Sequence, residues 1–225
     1  VSESAVRFSE IYDGEIYDAS FCCSHAGAVQ AFAGPTDTLI PQQGEKIIEQ
    51  ERLAPASIFT TPKGERVIDF GQNLTGYIEI ALRAEAGQKV SLSFAEVLDK
   101  NGNFYTENYR AAKSQYLYTC KTGFQTYKPK CTFYGFRYIR IDDFPDGIDN
   151  AAMQHFTAVT VHSELTRTGF ISSSNPLLNQ LFHNIIWGQK CNYLDVPTDC
   201  PQRNERLGWT GDAQAFVRTA ALNFD

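Results

Sequence analysis

The sequence predicts a mixed, mainly β protein: an antiparallel β-sandwich followed by helices. Three observations carry this. Short runs of alternating apolar and polar residues recur between residues 57 and 161, and Gly, Asn, Asp and Pro turns separate them. Near residue 170 the apolar period then switches from two to about 3.6. With 225 residues, 43% of them hydrophobic and 20% charged, the chain can bury a sizeable core and lacks the signature of disorder.

Residues 1–50 read as irregular. Gly14, Gly27, Gly34, Pro35 and Pro41 punctuate them, and only stretches such as Ala28–Phe32 look packable. Within Tyr77–Leu82 the residues Ile78, Ile80 and Leu82 share one face. Val90, Leu92 and Phe94 repeat the device, as do Tyr116, Tyr118 and Cys120. Phe136–Ile141 and Phe156–Val161 complete the series, which is the pattern of strands with one face on a core. Asn101-Gly102 and Asp146-Gly147 are turn dipeptides. Tyr116, Tyr118 and Phe136 read as cross-strand packing rather than as a sugar platform.

Asn175 followed by Pro176 reads as a helix start, a side-chain cap and then proline at the first helical position. Behind it Leu177, Leu178, Leu181, Phe182, Ile185 and Ile186 form one apolar face, so the helix should run to about Lys190. A second helix is expected over Ala213–Leu222, with Asp212 as its N-cap. Two helices cannot bury a core alone, so this part reads as the beginning of a larger α module.

Charge and cysteine usage exclude several classes. Lys plus Arg number 20 against 26 Asp plus Glu, a net charge of −6, and no basic stripe offers to neutralise phosphates. Nucleic acid is not an expected partner. No apolar run approaches the roughly 18 residues that span a bilayer, so no membrane insertion is expected. Cys22, Cys23, Cys120, Cys131, Cys191 and Cys200 contain no C-x-x-C pair and read mostly as reduced thiols, which leans towards the cytoplasm. His25, His155, His162 and His183 are scattered, so no metal site is expected. Val1 and Asp225 are both compatible with cuts, so the lack of a targeting segment carries no information about location.

The chemistry is concentrated in the polar connection from Asp195 to Gly211 and the Asp212 that follows it. Asp199, Glu205 and Asp212 lie there among Arg203, Arg206 and Trp209. Hydrolysis of a glycosidic bond uses such a set: one carboxyl protonates the leaving oxygen and another serves water or carbon. Polar groups hold hydroxyls, and an aromatic face covers the C–H side of the sugar. The same residues also fit a solvated loop with surface ion pairs and a simple helix cap. Residue types alone leave both readings open.

The run DVPTDCPQRNERLGWTGDAQAF closely resembles the signature of the bacterial α-L-rhamnosidases, inverting glycoside hydrolases. YDGEIYDAS at Tyr12–Ser20 is similar to the end of that family's N-terminal β module. VIDFGQNLTGYIEI, AEVLDKNGNFYTENYR and FYGFRYIRI resemble its concanavalin-like β-sandwich. The resemblance implies three units: residues 1–50 as the tail of an N-terminal β module with a linker, 51–165 as the concanavalin-like sandwich, and 166–225 as the first helices of a truncated (α/α)6 six-hairpin barrel. It implies hydrolysis of terminal non-reducing α-L-rhamnose from glycosides or polysaccharides, without cofactor or metal. Glu205 matches the general acid, and Asp199, Arg203, Trp209 and Asp212 match residues lining the rhamnose pocket. The general base would lie outside this chain, in a later loop of the barrel, so this piece alone is expected to be inactive. A six-hairpin glycosidase of other sugar specificity and a non-catalytic carbohydrate-binding sandwich are the alternatives. After YDGEIYDAS the chain departs from the family pattern, running Ser20-Phe21-Cys22-Cys23 instead of an Arg and a Trp-bearing stretch.

Glu205 carries a tension. A general acid must hold a proton, yet Arg203 and Arg206 beside it favour the carboxylate. Asp199, Asp212 and burial against Trp209 act the other way. The acid role therefore requires the arginines to point away or to pair with other carboxylates.

Overall fold

The computed structural model describes residues 3–22, 27–28 and 30–225, so Cys23 and His25 lie outside the described residues. In chain order the strands are β1 (Val6–Glu10), β2 (Gly14–Asp18), β3 (Ile47–Leu53), β4 (Ser57–Thr60), β5 (Arg66–Ala84) and β6 (Lys89–Ala95). They continue with β7 (Val97–Leu98), β8 (Phe104–Tyr105), β9 (Gln115–Thr119), β10 (Gly123–Tyr127), β11 (Tyr134–Asp143) and β12 (Phe156–Ser163). Helix α1 (Pro176–Cys191), the two-residue strands β13 (Tyr193–Leu194) and β14 (Val196–Pro197), and helix α2 (Thr210–Asn223) follow.

One 10-stranded sheet runs β1-β2-β9-β6-β11-β5-β12-β3, with β4 and β10 also pairing β5. The sheet curls because β5 serves two sets of partners. Its first half pairs with β4 and β11, and its second half with β12 and β10. The changeover falls at Gly76, which faces Tyr134 of β11 and Thr160 of β12. A Cβ there would sit 1.9 Å from the Val159 carbonyl oxygen, so only glycine lets β12 approach.

Alternation places the core as expected. Ile78, Ile80, Val90, Leu92, Phe94, Tyr116, Tyr118 and Cys120 are buried in one cluster with Phe136, Phe156 and Ala158. Tyr116, Tyr118 and Phe136 are thus sealed inside and present no sugar-binding surface. The expected unbroken alternation over Phe136–Ile141 is interrupted. The register slips between Phe136 and Tyr138, so Phe136 and Ile139 are both buried at odd spacing. β12 is buried along most of its length, with α1 and β3 both in contact with it.

The first fifty residues contain more order than their sequence announces. β1 and β2 form a hairpin, and β2 joins β9 in parallel, the one parallel pairing in an otherwise antiparallel sheet among the described residues. VRFSE and GEIYD are too short and too mixed for alternation to reveal them. Phe32, in contrast, is 85% exposed, and Ala28, Gln30 and Ala31 of the stretch expected to pack are exposed with it, while Val29 lies outside the described residues.

The helix starts differ in legibility. Asn175 caps α1 as expected, its Oδ1 accepting from Leu177 N–H at 2.9 Å, with Pro176 first in the helix. Only part of the apolar face finds a partner: Ile186 is buried, whereas Leu177, Leu178, Leu181 and Ile185 are exposed. The expected Asp212 cap is corrected. α2 begins at Thr210 with Trp209 at the N-cap, and Asp212 lies in the first turn, where its charge favours the helix dipole. Cys22, Cys120, Cys131, Cys191 and Cys200 are free thiols, and burial pushes Cys191 up to about 12. His155 stacks on Phe144, His162 is buried and His183 reaches Gln72 at 3.3 Å. Among the described residues no helix is long and apolar enough to cross a membrane.

Candidate active site

The connection between the helices is folded back on itself and pinned to the sandwich. Asp195, at φ 69°, turns β13 into β14, and its N–H donates to Ser163 Oγ at 3.0 Å. Asp199 then closes the loop: its N–H donates to the Leu207 carbonyl at 3.1 Å, and its Oδ1 accepts from Leu207 N–H at 2.8 Å. Pro201 packs on Gly135 of β11, where a Cβ would come within 2.8 Å of the proline ring. Arg206 turns away from Glu205 into the protein, donating to the carbonyls of Phe133, Gln202, Arg203 and Ile11.

This scaffold brings four of the five expected residues into one hydrogen-bonded chain. Arg203 donates to Asp199 Oδ2 and to Glu205 Oε2, both at 2.9 Å. The Trp209 indole N–H donates to Glu205 Oε1 at 3.0 Å, while the ring stays half exposed. Asp212 makes no hydrogen bond to the other four among the described residues. It shares with Asp199 a cleft of about 440 Å³ between α1 and α2, walled by Ile185, Tyr193 and Phe216.

The electrostatics answer half of the tension at Glu205. Arg206 points away, as the acid role requires, but Arg203 pairs with Asp199 and with Glu205 together. The Arg203 hydrogen bond, helped by Trp209, outweighs partial desolvation and holds Glu205 below the usual carboxylate range. Burial works to raise Asp199, but the Leu207 N–H, Cys200 and Arg203 outweigh it and the net shift is downward. Asp199, Cys200 and Glu205 place ligand-type atoms within 4.8 Å of one another, and the Arg203 guanidinium bridges the two carboxylates.

Three contributors come from far away in sequence. Arg110 of the sandwich donates to Glu205 Oε2 at 2.9 Å across 95 residues. Tyr12 donates its hydroxyl to the Glu205 carbonyl at 2.8 Å. Glu96 accepts from the side chains of Asn73 and Asn108 at 3.0 and 3.2 Å and lines a groove of about 570 Å³ with Trp187. Burial pushes the Glu96 carboxyl up. YDGEIYDAS and AEVLDKNGNFYTENYR, the runs containing these residues, stand out in the sequence only as parts of the β modules they resemble. Nothing local in ENYR announces a partner at Glu205.

Residues 59–162 match the bacterial alpha-L-rhamnosidase concanavalin-like domain, and residues 166–225 match the bacterial alpha-L-rhamnosidase 6 hairpin glycosidase domain. The chain belongs to the bacterial α-L-rhamnosidase family. The α-L-rhamnosidase of an Alteromonas species is 40% identical over 94% of this chain and 24% of its own length. The crystal structure of the Aspergillus terreus α-L-rhamnosidase superposes with a TM-score of 0.90 at 36% identity, over all of this chain and 27% of that one. The Streptomyces avermitilis α-L-rhamnosidase, solved in complex with L-rhamnose, gives 0.88 at 33% identity, over 99% of this chain and 22% of that one. The chain thus spans about a quarter of the length of the rhamnosidases it matches.

Proposed function

We propose that this chain supplies the general acid and part of the sugar pocket of an inverting α-L-rhamnosidase acting on terminal non-reducing α-L-rhamnose. The observation that carries the reading is the Asp199–Arg203–Glu205–Trp209 chain, fixed on a braced loop beside the Asp212 cleft. The rhamnose bound in the Streptomyces avermitilis relative makes a rhamnoside the natural ligand class. Residues 51–165 would form the sandwich unit, 166–225 the beginning of the catalytic barrel, and 1–50 the tail of a preceding β module with its linker.

In this mechanism Glu205 gives its proton to the leaving oxygen, while a water activated by a carboxylate outside residues 1–225 attacks from the opposite face. Asp199, Arg203 and Asp212 hold hydroxyls, and the open face of Trp209 packs against the ring or its methyl group. The bound sugar takes over donors of Arg203 and expels water from Glu205. Both effects raise the carboxyl from its depressed resting state towards the protonated form.

The test is Glu205→Gln in a chain of its relatives' full length. Natural glycosides should lose on the order of 10²–10⁴-fold, the worth of general acid catalysis, while activated aryl rhamnosides should be largely spared. The first-formed sugar should show inversion by NMR. Equal slowing of both substrate types would make Glu205 a binding residue instead.

A further inference from the structure

We infer that Arg110, supplied by the β-sandwich, is a positioning residue for Glu205, fixing its carboxyl across the junction between the sheet and the helical segment. The inference rests on the general-acid reading for its consequence in turnover.

Tyr109 to Ala112 form a tight turn, closed by the Ala112 N–H donating to the Tyr109 carbonyl at 3.1 Å. Arg110 occupies its first corner at φ 56° and ψ −117°, the geometry of a type II′ turn. Glycine is the default residue there, because a Cβ crowds the backbone at positive φ. An arginine in that place is strained, and the turn itself gains nothing from it.

The side chain supplies the reason. It is 58% exposed, and its one side-chain hydrogen bond among the described residues is the 2.9 Å contact to Glu205 Oε2. The two residues just before Arg110 are held firmly. Tyr109 is buried and donates its hydroxyl to the Gly135 carbonyl at 2.6 Å, and Asn108 donates to Glu96. Of the four other non-glycine residues with positive φ among the described residues, Asp195 and Arg206 lie at the start and in the middle of the polar connection, and Ser114 and Asp146 lie in the sandwich. Strained backbone of this kind gathers at functional sites.

Arg110 also completes a three-point grip. Oε1 of Glu205 takes Trp209, and Oε2 takes Arg203 and Arg110. The first two donors belong to the same loop as Glu205 and move with it. Arg110 alone ties the carboxyl to the sandwich. An ordinary surface ion pair would account for the contact, but not for an arginine where the turn calls for glycine.

The experiment follows the Glu205 side-chain carboxyl by ¹³C NMR across pH in the 225-residue protein, its signal identified by loss in Glu205→Gln. Arg110→Gln and Arg110→Gly should shift its midpoint upward, because a cation has left the carboxylate. Arg110→Lys should return it towards that of the unsubstituted protein. Arg110→Gly should in addition raise the melting temperature, since the strain goes with the side chain. A midpoint unmoved in both Arg110→Gln and Arg110→Gly would overturn the proposal, and so would a lower melting temperature in Arg110→Gly. Failure of the acid reading shows elsewhere, as equal slowing of both substrate types by Glu205→Gln, and would leave the carboxyl titration unaffected.

Discussion

Arg206 shows how far a side chain's role can depart from its sequence neighbours. Beside Glu205 in the chain, it reads as one of two charges acting on the acid. In the fold it is 6% exposed and its guanidinium satisfies four carbonyls, with the rings of Tyr12 and Phe133 at 5.6 and 5.0 Å. Five fixed donors suit such a cage better than a point charge. Arg206→Met keeps much of the length but leaves the carbonyls unpaired. Hydrogen bonds to a charged group contribute roughly 1.5–3 kcal/mol each, so a loss of about 3 kcal/mol or more is expected as a lower denaturant midpoint. Arg206→Lys should recover part of it, and an unchanged midpoint in Arg206→Met would remove Arg206 from the bracing of the site. The loop's candidate residues stood out because five of them fall within fourteen positions of a long signature. The inward turn of Arg206 and the arrival of Arg110 did not, because the Phe133 and Ile11 carbonyls that draw Arg206 inward and the Glu205 carboxyl that Arg110 meets lie 73 to 195 residues away.

Helix α1 poses the same contrast at the scale of an element. Its start is written locally in Asn175-Pro176, whereas its docking is not. The Thr75 hydroxyl donates to the Cys191 carbonyl at 2.9 Å, and Lys190 pairs with Glu51 of β3. With the His162 ring 3.8 Å away, and with Lys190 and the Thr160 hydroxyl against it, Glu51 is held well below its ordinary value of 4.5. A depressed carboxylate stabilises the folded state above its unfolded pKa, and that contribution fades as pH falls towards the folded value. Glu51→Gln should therefore lower the melting temperature at neutral pH, and the gap from the unsubstituted protein should narrow steadily below about pH 4.5. Thermal melts of both proteins from pH 7 to pH 3 check this. A gap that does not change with pH would mean the pair holds α1 by packing rather than by charge.

At the scale of the whole molecule, alternation sufficed to predict the sandwich because β9, β10 and the second half of β5 have one face sealed. It did not predict the curl, since β5 changes partners through a glycine whose need arises only when β12 arrives. The period of 3.6 likewise predicted an apolar helix face but not its fate. Leu177 is 77% exposed and Leu178, Leu181, Ile185, Val217 and Leu222 are exposed with it, on a chain about a quarter as long as its relatives. Contiguous exposed apolar surface drives association in water. The 225-residue protein should therefore sediment as concentration-dependent oligomers. Leu178→Lys combined with Leu181→Gln should shift it towards monomer while leaving the melting temperature close to that of the unsubstituted protein, because neither side chain belongs to the core cluster. Sedimentation velocity over a tenfold range of concentration makes the measurement. A monomer at every concentration before substitution would show that this face is tolerated in water. Oligomers that persist after both substitutions would place the sticky surface elsewhere, with exposed Phe170 and Ile171 the next residues to change.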